Sequence, residues 1–373
     1  MSPPDNQPAA AAGRKPAPAR KLVMKQAVML RMLYALAPLA AAGVYFFGWR
    51  SLALLGVCAA AGFATEYVTS RRRAAPVSTA CFVTIALYAL SLPPLTPLWI
   101  AAVGAVVAIL FGKEVFGGFG RNFANPAIVG RAFVYICFPV ALTSQFVPAF
   151  TGWPGGLAHW SFAGLDQLPP HLAAGGKTVL DAITQASPQW VVKNVTFEVS
   201  NLADLLLGTI GGTYSGPNGT RIVAAGSIGE GCAVLIALAA AYLLITRTAN
   251  WRLMAGGLLG VVVSGVFFRN VLGFDAVGQV PPIELGLLAG STLFAIVFMI
   301  TEPVSAPKKH AAQWVYAFLI GLLMIVMRWL GVFVASATFA ILIGNMVAPL
   351  LDLAAGTWEA RKSAPVASGG DAA

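Results

Sequence analysis

Between two long apolar runs lies Lys113-Glu-Val-Phe-Gly-Gly-Phe-Gly-Arg-Asn-Phe-Ala-Asn-Pro126, which concentrates charge, glycine and amide groups. Glycines at 117, 118 and 120 carry no Cβ and permit positive φ, so their backbone N–H groups can approach a ligand closely. Lys113, Arg121 and Arg131 add positive charge. Two readings fit: a ligand site built from backbone donors and cations, or a cytoplasmic turn with basic anchors. The spacing is neither a GxGxxG fingerprint nor a Walker loop, so nothing here supports a soluble nucleotide-binding fold.

Four acidic residues, Glu66, Glu230, Glu302 and Asp352, fall in or beside apolar runs. An ionised side chain at the centre of a membrane helix costs about 2.5–3.5 kcal/mol on insertion scales, so each requires a reason. All lie near the end of a run, where a carboxylate reaches water, and Glu230 at a helix start also meets the positive end of the helix dipole. Cysteines 58, 81, 137 and 232 form no CxxC pair, and His159, His171 and His310 are isolated, so no zinc site or protein-only iron–sulfur cluster is expected.

The elements that carry these groups must be membrane helices. With 58% hydrophobic and 10% charged residues in 373, and a mean hydropathy of +0.78, the chain lacks the polar surface of a soluble protein. The net charge of +10 lies in short clusters flanking apolar runs, where it faces cytoplasmic loops and anionic membrane lipid, and nucleic-acid binding is excluded. Residues 1–28, rich in Ala and Pro, read as a disordered cytoplasmic tail. The following run is too long for a cleaved signal and reads as a retained anchor.

A span needs about 20 apolar residues. Candidates lie at 29–48, 51–69, 78–92, 97–112, 126–142, 228–246, 252–268, 284–301, 313–329 and 333–351. With the tail inside, Arg71–Arg73, Lys113 with Arg121, Arg247 with Arg252, Lys308 with Lys309, and Arg361 with Lys362 all fall on the cytoplasmic side. Both termini are then cytoplasmic, with 353–373 as the second tail, and 143–227 is a periplasmic loop poor in basic residues. That loop has its own apolar stretch, Leu202 to Ile210, suited to lying on or dipping into the membrane.

The expected fold is an all-α polytopic membrane protein of about ten transmembrane helices, arranged as two inverted five-helix repeats at 29–142 and 228–352. An odd number of spans per half forces the halves into opposite orientation. Pro93 with Pro97, and Pro303 with Pro307, break the third and eighth spans alike. A second echo, Asn122 to Pro126 against Asn345 to Pro349, falls at opposite ends of its spans and is set aside.

Lys113 to Pro126, continued by Ala127-Ile-Val-Gly-Arg-Ala-Phe133, resembles a signature of the B subunit of sodium-pumping NADH:quinone reductase and of its relative, the D subunit of the Rnf complex. Further blocks agree in family order: Phe82-Val-Thr84 with the Pro93-Pro94 break, Gly226-Ser-Ile-Gly-Glu230, Thr301-Glu-Pro-Val-Ser-Ala306, Phe339-Ala-Ile-Leu342 and Ala348-Pro-Leu-Leu-Asp352. The wording of the glycine stretch resembles the reductase branch, and the short tail and overall length the Rnf branch. The resemblance implies a multi-pass subunit of the bacterial inner membrane that passes electrons through flavin and couples their flow to Na+ or H+ movement. Its partners would be the other subunits of an Nqr- or Rnf-type complex and a flavin transferase.

In that family FMN is held by a phosphoester to a threonine in Asp-x-x-Ser/Thr-Gly-Ala-Thr, and Asp181-Ala-Ile-Thr-Gln-Ala-Ser187 is the matching stretch. The resemblance thus makes Ser187 the covalent FMN residue, with Asp181, Thr184 and Ala186 beside it. Gln185 stands for the family's glycine and Ser187 for its threonine. The same stretch is also the composition of a surface turn before Pro188.

The resemblance also implies a quinone or second-flavin region at Gly62, Lys113, Gly117, Gly118, Arg121 and Asn122, with riboflavin and ubiquinone as further ligands. It implies an ion pathway through Glu66, Glu302 and Asp352. Glu302 stands where the family usually has aspartate, and Ala61 replaces the first glycine of the pair ending at Gly62. No nicotinamide-binding motif is visible, so oxidation of NADH or ferredoxin belongs to a partner, and no catalytic residue is expected in this chain alone. A flavin-free channel or transporter with inverted halves is the competing reading.

Overall fold

The computed structural model describes residues 22–143, 145–162, 202–209, 213–216, 219–222, 225–274, 280–288, 291–331, 333 and 335–363. The apolar runs become helix: α1 (Ala27–Phe47), α2 (Trp49–Arg72), α3 (Thr79–Leu90), α4 (Leu98–Ile109), α5 (Pro126–Cys137) and α6 (Pro139–Thr143). There follow α7 (Leu202–Leu207), α8 (Ala233–Ile245), α9 (Trp251–Val266), α10 (Ile283–Leu288), α11 (Thr292–Phe294), α12 (His310–Ile325) and α13 (Ser336–Ser363). Four helices run on into a wider π turn, at Leu110–Glu114, Phe267–Val271, Ala295–Met299 and Val326–Leu330. Strand β1 (Val23–Met24) pairs parallel with β2 (Val77–Ser78), and β3 (Thr213–Gly216) pairs antiparallel with β4 (Gly219–Ile222).

Among the described residues five helices are long and apolar enough to cross a membrane: Ala27–Phe47, Trp49–Arg72, Trp251–Val271, His310–Leu330 and Ser336–Lys362. Thr79–Leu90, Pro126–Cys137 and Ala233–Ile245 are apolar but shorter. Among the described residues these are five long candidate spans and several shorter apolar helices, where the sequence suggests about ten, and local chemistry shapes where the helices stop. Pro93, Pro94 and Pro97 separate α3 from α4, and Pro139 separates α5 from α6, because proline lacks an N–H for the helical ladder. Residues 228–230 form a turn, so α8 starts only at Ala233.

Large apolar side chains point outward from these helices, including Leu52, Val68, Trp99, Leu238, Leu259 and Leu350. An apolar exterior around a packed interior is the pattern of a lipid-embedded protein. Inside, glycines bring backbones together. A Cβ on Gly260 of α9 would lie 2.4 Å from the Phe318 carbonyl oxygen of α12, and one on Gly321 would lie 2.5 Å from the Gly257 oxygen. Small residues at the crossing thus set how closely α9 and α12 approach.

Hydrogen bonds gather the basic clusters at one end of the bundle. Arg73 pairs with Glu114, Arg31 donates to the Thr246 oxygen, the Lys308 amide donates to Asp352, and Lys309 pairs with Glu359. The opposite end is closed by Trp49 N–H on the His159 oxygen, Arg50 on the Pro94 and Thr96 oxygens, and Leu95 N–H on the Gln145 oxygen.

A buried ion pair and its cavity

The inward stripe of α2 consists of Ser51, Leu54, Cys58, Gly62, Glu66 and Ser70, at three- and four-residue spacing, so Glu66 belongs to the buried face. The π turn after α4 directs both Lys113 and Glu114 into the protein. Lys113 Nζ lies 2.5 Å from Glu66 Oε2, with both side chains 2% exposed. Ser78 completes the group: its N–H and hydroxyl each donate to Glu66 Oε1 at 2.8 Å, and Lys113 Nζ donates to its oxygen at 2.6 Å. A charge pair this far from water persists because both carboxylate oxygens and the ammonium are hydrogen-bonded. The neighbouring Glu114 receives Arg73, which also donates to the Glu114 carbonyl at 3.1 Å, and this fixes the π turn to the end of α2.

Gly117, Gly118 and Gly120 adopt φ of 102°, 94° and 85°, the conformation their sequence suggested. They carry the chain around exposed Arg121 to buried Asn122, whose amide donates to Glu302 Oε1 at 2.9 Å and to the Ala124 oxygen at 3.1 Å. Asn125 caps α5 by accepting from Ala127 N–H at 3.0 Å, with Pro126 at the first helical position. Its own N–H donates to Asn345 Oδ1 at 2.9 Å and its side chain to the Met299 oxygen at 3.1 Å.

A cavity of about 50 Å³ lies among Met29, Thr84, Lys113, Phe119, Asn122 and Glu302. Glu302, in the turn that follows the Ala295–Met299 π turn, accepts from Ser305 as well as Asn122. Removal from water pushes its carboxyl above the usual carboxylate range, and those hydrogen bonds oppose the rise.

The remaining expected site residues scatter. Asp352 accepts the backbone N–H groups of Lys308 and Lys309 at 2.8–2.9 Å, anchoring the turn into α12, and does not join the Glu66 group. At Gly62 a Cβ would meet Ile85 at 2.7 Å, so the gap left by the missing side chain is filled by the α2–α3 contact. Asp181, Thr184, Ala186 and Ser187 lie outside the described residues.

Sequence reasoning passed over Ser78, Asn125, Asn345 and Tyr316. It also passed over Arg328, which lies buried at the end of the α12 run and donates to Thr292 and Ser291 hydroxyls at 3.1 Å. An arginine inside an apolar run is itself a signal that could have found it. Glu230 is also paired: Arg131 Nη1 lies 3.5 Å from its Oε1, and Ser227 N–H donates to its other oxygen at 3.2 Å.

An apolar-surfaced helical bundle with charge pairs enclosed in its interior defines a multi-pass membrane protein with a polar core. Residues 19–357 match the model of the NQR2, RnfD, RnfE family, and the chain belongs to that family. It is 36% identical over 274 residues to the B subunit of the Na(+)-translocating NADH-quinone reductase of Azotobacter vinelandii, covering 73% of this chain and 58% of that protein. The corresponding protein of Klebsiella pneumoniae is 32% identical over 317 residues, covering 82% and 68%. That of Pseudomonas paraeruginosa is 34% identical over 287 residues, covering 77% and 61%. The chain thus spans between 58% and 68% of the length of these relatives.

Proposed function

We propose that the chain is an integral-membrane subunit of an Nqr- or Rnf-type ion-translocating oxidoreductase, taking electrons from an NADH- or ferredoxin-oxidising partner and coupling their flow to Na+ or H+ movement. The family match over residues 19–357 carries this reading. The buried carboxylate of Glu66 and the half-buried one of Glu302 support it, since oxygen ligands of this kind are what a translocated cation requires.

On this reading the two inverted halves face each other across the Asn122–Glu302 and Asn125–Asn345 contacts, and both termini are cytoplasmic. FMN esterified to Ser187 on the periplasmic side supplies one-electron chemistry when bound. Toward a second flavin the donors Lys113 and Asn122 are suitable in type. The cavity beside them, about 50 Å³, is well below the roughly 300 Å³ of ordinary ligand pockets, so an isoalloxazine ring does not fit with Met29 and Phe119 as placed. At Gly62 the Ile85 side chain fills the place of a Cβ, so a quinone ring there would require Ile85 to move. The chain's own groups act electrostatically: Glu66 attracts a cation, Lys113 neutralises it in the absence of one, and Glu302 offers a second carboxylate across the cavity.

The alternative, a flavin-free transporter, draws support from the broken helices. The turn after Ser227 joins the end of α3 through Gly229 N–H on the Leu90 oxygen at 2.7 Å, an irregular crossing of the kind that transporters use. Co-expression with a flavin transferase separates the two. The proposal expects in-gel flavin fluorescence from denatured protein that disappears in Ser187→Ala, and colourless protein would favour the transporter.

A further inference from the structure

We infer that Lys113 is a built-in cation that occupies the place of a small monovalent ion at Glu66, so that an ion of the size of Na+ or Li+ binds there only by exchange with the lysine ammonium. The inference rests on the reading of Glu66 as part of an ion pathway and adds the residue that controls its occupancy.

The ammonium sits where such an ion would. It touches Glu66 Oε2 at 2.5 Å and Ser78 Oγ at 2.6 Å, while Ser78 holds the other carboxylate oxygen through its N–H and hydroxyl at 2.8 Å. Two carboxylate oxygens and a hydroxyl form an oxygen-lined niche, the donor set preferred by hard cations, with water able to supply further ligands. Charge selects valence. The pair is neutral and 2% exposed, so one monovalent ion replaces the ammonium without leaving net charge in the interior, whereas a divalent ion would leave one positive charge uncompensated.

The lysine also has somewhere to go. Its side chain lines the cavity that Asn122 and Glu302 line, so the displaced ammonium enters a mainly apolar space that carries a second carboxylate on its wall. The backbone beneath it is a π turn, a helix irregularity frequent at functional positions, followed by three glycines at positive φ. Arg73 grips the adjacent Glu114 through side chain and carbonyl, so Lys113 can swing while the turn stays anchored. A purely structural pair would have no response to the identity of the salt.

The test uses the full chain in detergent as wild type, Lys113→Met and Glu66→Gln/Lys113→Met, unfolded thermally in NaCl and in choline chloride at equal ionic strength. Lys113→Met should be stabilised saturably by Na+ at about tenfold lower concentration than wild type, and the double variant should not respond. Equal responses of the single variant and wild type, or of the single and double variants, would overturn the inference. Should Lys113→Met not fold, amine-reactive labelling of wild-type Lys113 read by mass spectrometry decides instead. Labelling that rises with Na+ and not with choline supports exchange, and labelling indifferent to Na+ refutes it. Failure here leaves the redox-subunit reading standing. Success here with coupling intact in Glu66→Gln complexes would sink the ion-pathway reading and leave the binding site.

Discussion

The backbone N–H of Asn125 donates to Asn345 Oδ1 at 2.9 Å, across 220 positions of sequence, and the Asn345 amide donates in turn to the Tyr316 hydroxyl at 2.6 Å. All three residues are buried. One asparagine therefore joins the start of α5 to α12 and α13.

Asn345→Ala strands the Asn125 N–H and removes a partner of the Tyr316 hydroxyl. Leaving a buried polar group unsatisfied costs about 1–3 kcal/mol, so unfolding in detergent should show at least that loss. Unchanged stability would mean that water or a rearranged side chain replaces Asn345.

Gly260→Val should destabilise the α9–α12 pair, because a Cβ there meets the Phe318 carbonyl at 2.4 Å, and backbone cannot move aside as a side chain can. Overpacking of this kind typically costs about 1–3 kcal/mol. Gly56→Ala on exposed α2 surface, with nothing within 4 Å of a new Cβ, is the control and should be neutral or stabilising. Equal losses at the two positions would contradict the close-packing account.

Glu302 sets a pH dependence with a definite sign. Its folded-state pKa is raised above 4.5, so the folded state holds the proton more tightly than the unfolded state. Its stabilising contribution is full below about pH 4.5 and is lost as pH rises through the folded value. Thermal unfolding from pH 4 to 8 should show wild type losing stability relative to Glu302→Gln as pH rises. Parallel profiles would count against an enclosed carboxyl at this position.

The parts of this structure governed by local rules were legible in the sequence. Apolar runs became helices, the glycines at 117, 118 and 120 took positive φ, and the prolines at 93, 94 and 97 marked a break. Hydropathy alone does not register the break at Pro139, which ends the helix begun at Pro126 inside the expected span 126–142. Partnerships were not legible: Glu66 finds Lys113 47 positions away through the packing of α2 against the π turn. Asn122 to Pro126 and Asn345 to Pro349, set aside as a sequence echo, turn out to touch through Asn125 and Asn345. Arg328 was visible as a charge within an apolar run, and its seat on Ser291 and Thr292, 37 and 36 positions away, was not.

The most direct test places the assembled complex in sealed vesicles and records electron transfer and cation uptake together, for wild type and Glu66→Gln. The account predicts that the variant still passes electrons and moves far fewer cations per electron. A wild-type ratio of cations to electrons in Glu66→Gln would contradict it.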